Sequence, residues 1–131
     1  MADDVKRYFS NSEFEKKYGH CRAVAVGDLI FVAGTTGYNY ETGEMSDDPA
    51  EQTRQTFRNI ETALAEFGAS FADVVQIVTY FVNEEDWDAI GAVLGEWLDG
   101  VHPVNAGVRT GLILPEMKVE ISATAVRRGG G

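Results

Sequence analysis

Apolar positions along the chain change period several times, and the changes divide it into elements. Residues 21–26 and 29–33 are two β-rich runs separated by Gly27-Asp28. That two-residue spacer predicts a tight hairpin, because glycine supplies the positive φ such turns require. A polar stretch follows, with a second turn predicted at Glu41-Thr42-Gly43-Glu44. Helical spacing then takes over, with Phe57, Ile60, Leu64 and Phe67 on one stripe. Asp48 as N-cap, Pro49 in the first turn and Glu51 as capping-box partner predict where this helix begins, and Gly68 predicts where it stops. Residues 74–82, nine in a row rich in β-branched and aromatic side chains, predict a strand with apolar groups on both faces. A second helix is expected after Asn83 as N-cap, with Trp87, Ile90, Leu94 and Trp97 as its stripe and Asp99-Gly100 as its end. Two further strands, near 105–112 and 117–127, are separated by Pro115.

Hairpin, helix, strand, helix and two strands predict an α+β domain: one mixed sheet with two helices on one face. The second face of such a sheet has no helix left to cover it. The apolar residues on both sides of 74–82 therefore predict that another copy of the chain does so, giving a homo-oligomer. No repeat or linker divides the chain, so residues 1–128 are expected to form a single domain and Gly129-Gly130-Gly131 a flexible tail.

Composition narrows the class. Of 131 residues, 44% are hydrophobic, enough for a core, and no apolar run approaches the ~20 residues of a membrane-spanning helix. The start, Met1-Ala2-Asp3-Asp4, lacks the layout of a signal peptide, and the single cysteine, Cys21, cannot close an internal disulfide. A cytoplasmic protein is expected. Eleven basic against 21 acidic residues give a net charge of −10, which disfavours nucleic acid as a partner.

Most familiar chemistry is missing. The sequence has no CxxC, HExxH or Walker loop, and two histidines, His20 and His102, with one cysteine make poor material for zinc. Gly34-Thr35-Thr36-Gly37 follows a strand but opens no helix, which weakens it as a phosphate cradle. Cys21, placed in a predicted strand, reads as packing. On the last strand Val119, Ile121 and Ala123 alternate with Lys118, Glu120, Ser122 and Thr124. Glu120 therefore lies on its polar side, where an ordinary solvated carboxylate is the plain reading.

Val26-Gly27-Asp28-Leu29-Ile30-Phe31-Val32-Ala33-Gly34-Thr35, the run from Gln52 to Ile60 with Gly68, the strand from Asp73 to Val82, and the segment from Pro103 to Ile121 together resemble the Rid family, the reactive intermediate deaminases or YjgF-like proteins, also labelled endoribonuclease L-PSP. The resemblance spans about Tyr18 to Arg127. It implies a chorismate-mutase-like fold, a homotrimer whose sheets form a central barrel, and small-molecule clefts at the subunit interfaces. It further implies hydrolysis of enamines and imines to 2-keto acids and ammonia, with no metal and no organic cofactor. By the same resemblance Glu120 matches a glutamate near the attacking water, and Gly34 a glycine ending the second hairpin strand.

Other positions depart from the family pattern. Asn105 stands where deaminating members carry the arginine that holds the substrate carboxylate. His20 stands where a tyrosine usually lines the cleft, with Tyr18 close by, and Ala33 replaces a hydroxyl residue, leaving Thr35 as the nearest substitute. An amide is a neutral donor where a guanidinium is a charged fork. Arg109 shares a strand face with Asn105 but lies about 13 Å along it, and Arg22 shares a predicted face with His20. Surface salt-bridging is the plain reading of both arginines.

The site expected from these residues comprises Glu120 and His20 as catalytic groups, with Asn105, Gly34, Thr35, Gly107 and Arg109 binding substrate and no metal. A non-catalytic metabolite sensor or scaffold is the alternative, and a ribonuclease a weaker one.

Overall fold

The computed structural model describes residues 4–128; the expected tail at 129–131 lies outside them. Six strands, β1 (Val5–Tyr8), β2 (Ala23–Val26), β3 (Leu29–Thr35), β4 (Val74–Phe81), β5 (Val104–Arg109) and β6 (Val119–Val126), form one mixed sheet in the order β1-β2-β3-β6-β4-β5. Three α-helices accompany it: α1 (Glu13–Tyr18), α2 (Pro49–Ala65) and α3 (Trp87–Trp97). All pairings are antiparallel except β4 with β5, where the crossover through α3 returns the chain in the same direction.

Alternation decides the two faces. Ile30, Val32, Ile77, Val119, Ile121, Ala123 and Ala125 turn inward and pack with Phe57, Ile60, Leu64, Ile90 and Val93 of the helices, all at most 4% exposed. The rings of Phe57 and Trp97 stack at 5.4 Å and tie α2 to α3. On the other face Val26, Leu29, Phe31 and Val75 remain exposed, between 41% and 44%. Among the described residues of one chain nothing covers this apolar face.

The expected elements are present, with corrections at their ends. Gly27, at φ 59°, makes the hairpin turn between β2 and β3. Asp48 caps α2 by accepting from the Glu51 amide at 3.2 Å. Glu51 does not complete the box, because its carboxylate is engaged by Arg54 and Arg58. Asn83 makes no cap bond to the backbone: a 3-10 turn at Glu84–Asp86 intervenes, and Asn83 bonds the Asp86 carboxylate instead. Cys21 precedes β2 and is half-buried.

Two elements were not expected. β1 is a short edge strand on β2, and α1 is six residues long, capped by Ser12 and ended by Gly19 at φ 76°.

Buried amides on α2 fix the surrounding loops. Gln52 donates to the Ser46 and Glu116 carbonyls, both at 2.8 Å, and accepts from the Lys118 amide at 3.0 Å. Asn59 donates to the carbonyls of Thr36 and Tyr38. Between these two anchors the loop passes so close to the helix that a Cβ on Gly37 would lie 2.6 Å from the Gln52 carbonyl oxygen. Backbone cannot yield as a side chain can, so Gly37→Ala is expected to cost about 1–3 kcal/mol. A denaturant midpoint unchanged from wild type would disprove that close approach.

Candidate functional site

β3 carries one more residue than β6 between two of their paired positions: Val32 pairs with Ala123 and Thr35 with Ile121. Such a bulge re-aims side chains locally, and here it lies beside Glu120. The Glu120 carboxylate rests against Gly34, where a Cβ would come within 2.4 Å of Oε2. An alanine at 34 would push the carboxylate aside. Burial raises the Glu120 pKa, and the nearby Arg22 guanidinium partly offsets the rise.

Glu120 and Gly34 line a cleft of about 370 Å³ together with His20 and Arg22. Its walls are aromatic. Phe14 and Tyr18 come from α1, Tyr38 and Tyr40 from the polar loop after β3, and Ile113 and Met117 from the segment before β6 complete the lining. Phe14 lies 6.2 Å from the Tyr18 ring and 6.3 Å from that of Tyr38. The Tyr38 hydroxyl donates to Glu116 at 2.8 Å. Burial, aided by that carboxylate, pushes its pKa up to about 12, and the same bond lowers the Glu116 pKa.

Arg22 is not a surface residue. Its side chain is 4% exposed and pairs at 3.0 Å with Glu15, which is 1% exposed. Arg22 also donates to the Gly34 carbonyl at 2.7 Å and the Thr35 hydroxyl at 3.3 Å, and lies 5.9 Å from the Tyr40 ring. Glu15 accepts a further bond from Ser10 through the same Oε2, and its Oε1 has no partner among the described residues. The ion pair thus anchors α1 to the bulge and fixes the peptide against which Glu120 sits.

The expected site residues divide into two groups. His20, Gly34 and Glu120 share the cleft. His20 is exposed, and its Nδ1 lies 3.1 Å from the Cys21 carbonyl. A carbonyl only accepts, so this contact fits the tautomer in which Nδ1 carries the proton and Nε2 has a free lone pair. Thr35 is fully buried, bonded to Arg22 and the Ala33 carbonyl, and does not line the cleft.

Asn105, Gly107 and Arg109 lie elsewhere, on the exposed edge strand β5. Asn105 pairs with Ile77 on the helix face, whereas Glu120 pairs with Tyr80 on the open face. Two strand spacings and three residues of offset separate them by about 14 Å in one chain. Asn105 Oδ1 accepts from the Thr79 hydroxyl at 3.2 Å. Gly107 makes room for Trp87, whose ring would be 3.2 Å from an added Cβ. Arg109 is the surface ion pair its plain reading suggested, 3.5 Å from Glu84.

Sequence reasoning did not single out Glu15, Phe14, Tyr38 or Tyr40. Ser12 followed three residues later by Glu15 has the form of a helix start, and it was the signal available for α1. Among the described residues no group of three or more His, Cys, Asp or Glu is arranged to hold a metal ion. None of the described helices is long and apolar enough to cross a membrane.

Residues 11–127 match the family model described as endoribonuclease L-PSP. An uncharacterized protein of Streptomyces coelicolor is 35% identical over 127 residues, covering 96% of this chain and 95% of that one. A 2-iminobutanoate/2-iminopropanoate deaminase of Dermatophagoides farinae is 29% identical over 108 residues, covering 82% and 84%. Among solved structures, Rv2704 of Mycobacterium tuberculosis, a member of the YjgF/YER057c/UK114 family, superposes with a TM-score of 0.85 at 40% identity, covering 93% and 98%.

Proposed function

Since the chain belongs to the Rid family of YjgF-like, endoribonuclease L-PSP proteins, we propose that it hydrolyses the carbon–nitrogen bond of a small imine or enamine and releases ammonia. The observation that carries this reading is the Glu120 carboxylate, held against Gly34 in a largely apolar cleft that raises its pKa. A carboxyl group tuned upward by burial can take a proton from water and return it within one cycle.

In this mechanism Glu120 removes one proton from water as the oxygen adds to the imine carbon, and passes it to the nitrogen to give a carbinolamine. The carbinolamine then collapses: Glu120 takes the hydroxyl proton and delivers it to nitrogen as the C–N bond breaks, so that ammonia leaves and the carbonyl product remains. His20, through Nε2, is the second group able to carry that proton. The reaction balances as imine plus water giving carbonyl compound plus ammonia.

We place the working cleft between subunits of a homotrimer. The open apolar face supports this arrangement, as does the separation of Asn105 from Glu120, which a neighbour's β5 edge would bridge. A non-catalytic sensor or scaffold is the second reading, favoured by Asn105, whose carbonyl oxygen is already engaged by Thr79. The ribonuclease implied by one family label fits poorly with a net charge of −10.

The test is ammonia release from imines generated in solution, with and without a carboxylate. Wild type is expected to turn over at least one imine and to act weakly on 2-iminopropanoate. Asn105→Arg is expected to raise kcat/KM for that substrate about 10- to 100-fold, the worth of a charged contact of about 1.5–3 kcal/mol. No turnover of any imine would favour the sensor, and equal rates for both proteins would mean the carboxylate is held elsewhere.

A further inference from the structure

The cleft around Glu120 has an unusual balance of charge and surface for a site that would receive an amino-acid-derived anion. Its cation, Arg22, is 4% exposed and already bonds Glu15, the Gly34 carbonyl and the Thr35 hydroxyl. Two carboxylates, Glu15 and Glu120, face that single guanidinium, and Glu116 adds a third at the rim through Tyr38. An entering carboxylate would be repelled by this set and would find no exposed charged fork among the residues that one chain contributes to the lining.

The walls favour a different ligand. Phe14, Tyr18, Tyr38 and Tyr40 present rings, and Ile113, 70% exposed at the mouth, continues the apolar surface outward. Aromatic faces beside a carboxylate attract cations and bury flat apolar groups. A volume of about 370 Å³ lies at the small end of ligand pockets, enough for one ring with a short polar head.

We propose that the Glu120 cleft takes a carboxylate-free imine, or its protonated iminium form, bearing an aromatic or comparably large apolar group. This rests on the imine-hydrolase reading of the same site and names its substrate class. The head group is the C=N carbon and nitrogen near Glu120, and the apolar body lies among the rings from α1 and the loop after β3. Hydrolysis of such an imine would yield an aldehyde or ketone with ammonia.

The experiment measures binding of stable stand-ins by calorimetric titration of the purified full-length protein, so that it does not depend on turnover. The probes are phenylacetamide, 2-phenylethylamine, phenylpyruvate and acetamide. Phenylacetamide and 2-phenylethylamine are expected to bind at least tenfold more tightly than phenylpyruvate, and phenylacetamide at least tenfold more tightly than acetamide. Phe14→Ala is expected to weaken phenylacetamide binding at least fivefold. Ile113→Ser, at an exposed position that cannot unfold the core, should weaken it by at least twofold.

Phenylpyruvate binding as tightly as the others would overturn the proposal. Equal affinity for acetamide and phenylacetamide, no effect of either variant, or no binding of any probe at millimolar concentration would also overturn it. The expected binding order without turnover of any imine would refute the hydrolase reading alone, leaving the ligand class in place.

Discussion

Glu120→Gln is expected to reduce ammonia release by at least about 100-fold, the usual contribution of a positioned acid–base group, while the protein keeps its fold. The side chain is half-buried, so the amide replaces it without opening a cavity. The stability effect has a definite sign. Burial raises the folded-state pKa of Glu120 above its ordinary value, so ionisation costs the folded state more than the unfolded one. The protonated form's advantage is complete below the ordinary glutamate range and is lost as pH rises through the raised pKa. At pH 7 the glutamine variant should therefore melt no lower than wild type, and any advantage should vanish when both are melted at acid pH. Retained activity would remove Glu120 from the chemistry. A lower melting temperature at pH 7 would mean that the carboxylate is held by favourable contacts rather than penalised by burial.

Arg22→Met is expected to destabilise the protein strongly, by about 3–5 kcal/mol, and to lower Tm on the order of 10 °C. Removing the guanidinium strands the Glu15 carboxylate in a buried setting where its Oε1 already lacks a partner among the described residues. It also releases the Gly34 carbonyl and the Thr35 hydroxyl. The double change Glu15→Leu with Arg22→Met should recover part of the loss, since replacing both charges avoids the uncompensated ion. Thermal melts of wild type, the two single variants and the double variant measure this coupling. An Arg22→Met variant as stable as wild type would show that the pair contributes little and that α1 is held by its apolar contacts.

How much of this was legible in the sequence depended on whether a residue's surroundings are local. The Gly27 hairpin, the Asp48 cap and the stripe Phe57, Ile60, Leu64 and Phe67 are decided within a few residues, and each is found as expected. β1 and α1 are too short to display a period. Arg22 and Glu15 were hidden for another reason: hydrophobic patterning places charged residues outside, and only the tertiary pairing of helix and strand makes their burial tolerable. Tyr38 and Tyr40 lie in a polar loop with no periodicity, so their role as walls depends on Asn59 and Gln52 drawing that loop onto α2. The face presented by Asn105 is set by the parallel register of β5 on β4, which spacing along the chain does not encode.

The amide anchors of α2 have a consequence for how the cleft can open. Gln52 and Asn59 bond both the loop that carries Tyr38 and the segment that leads into β6, so the two rims belong to the same cooperative unit as the longest helix. Releasing either rim by local unfolding would require much of the free energy of unfolding that helix, and such excursions are rare under native conditions. Exchange of the proposed ligand would then be governed by side-chain rotation around Tyr18 and Ile113, on the fast timescale of exposed rotamers rather than by the slow opening of a lid.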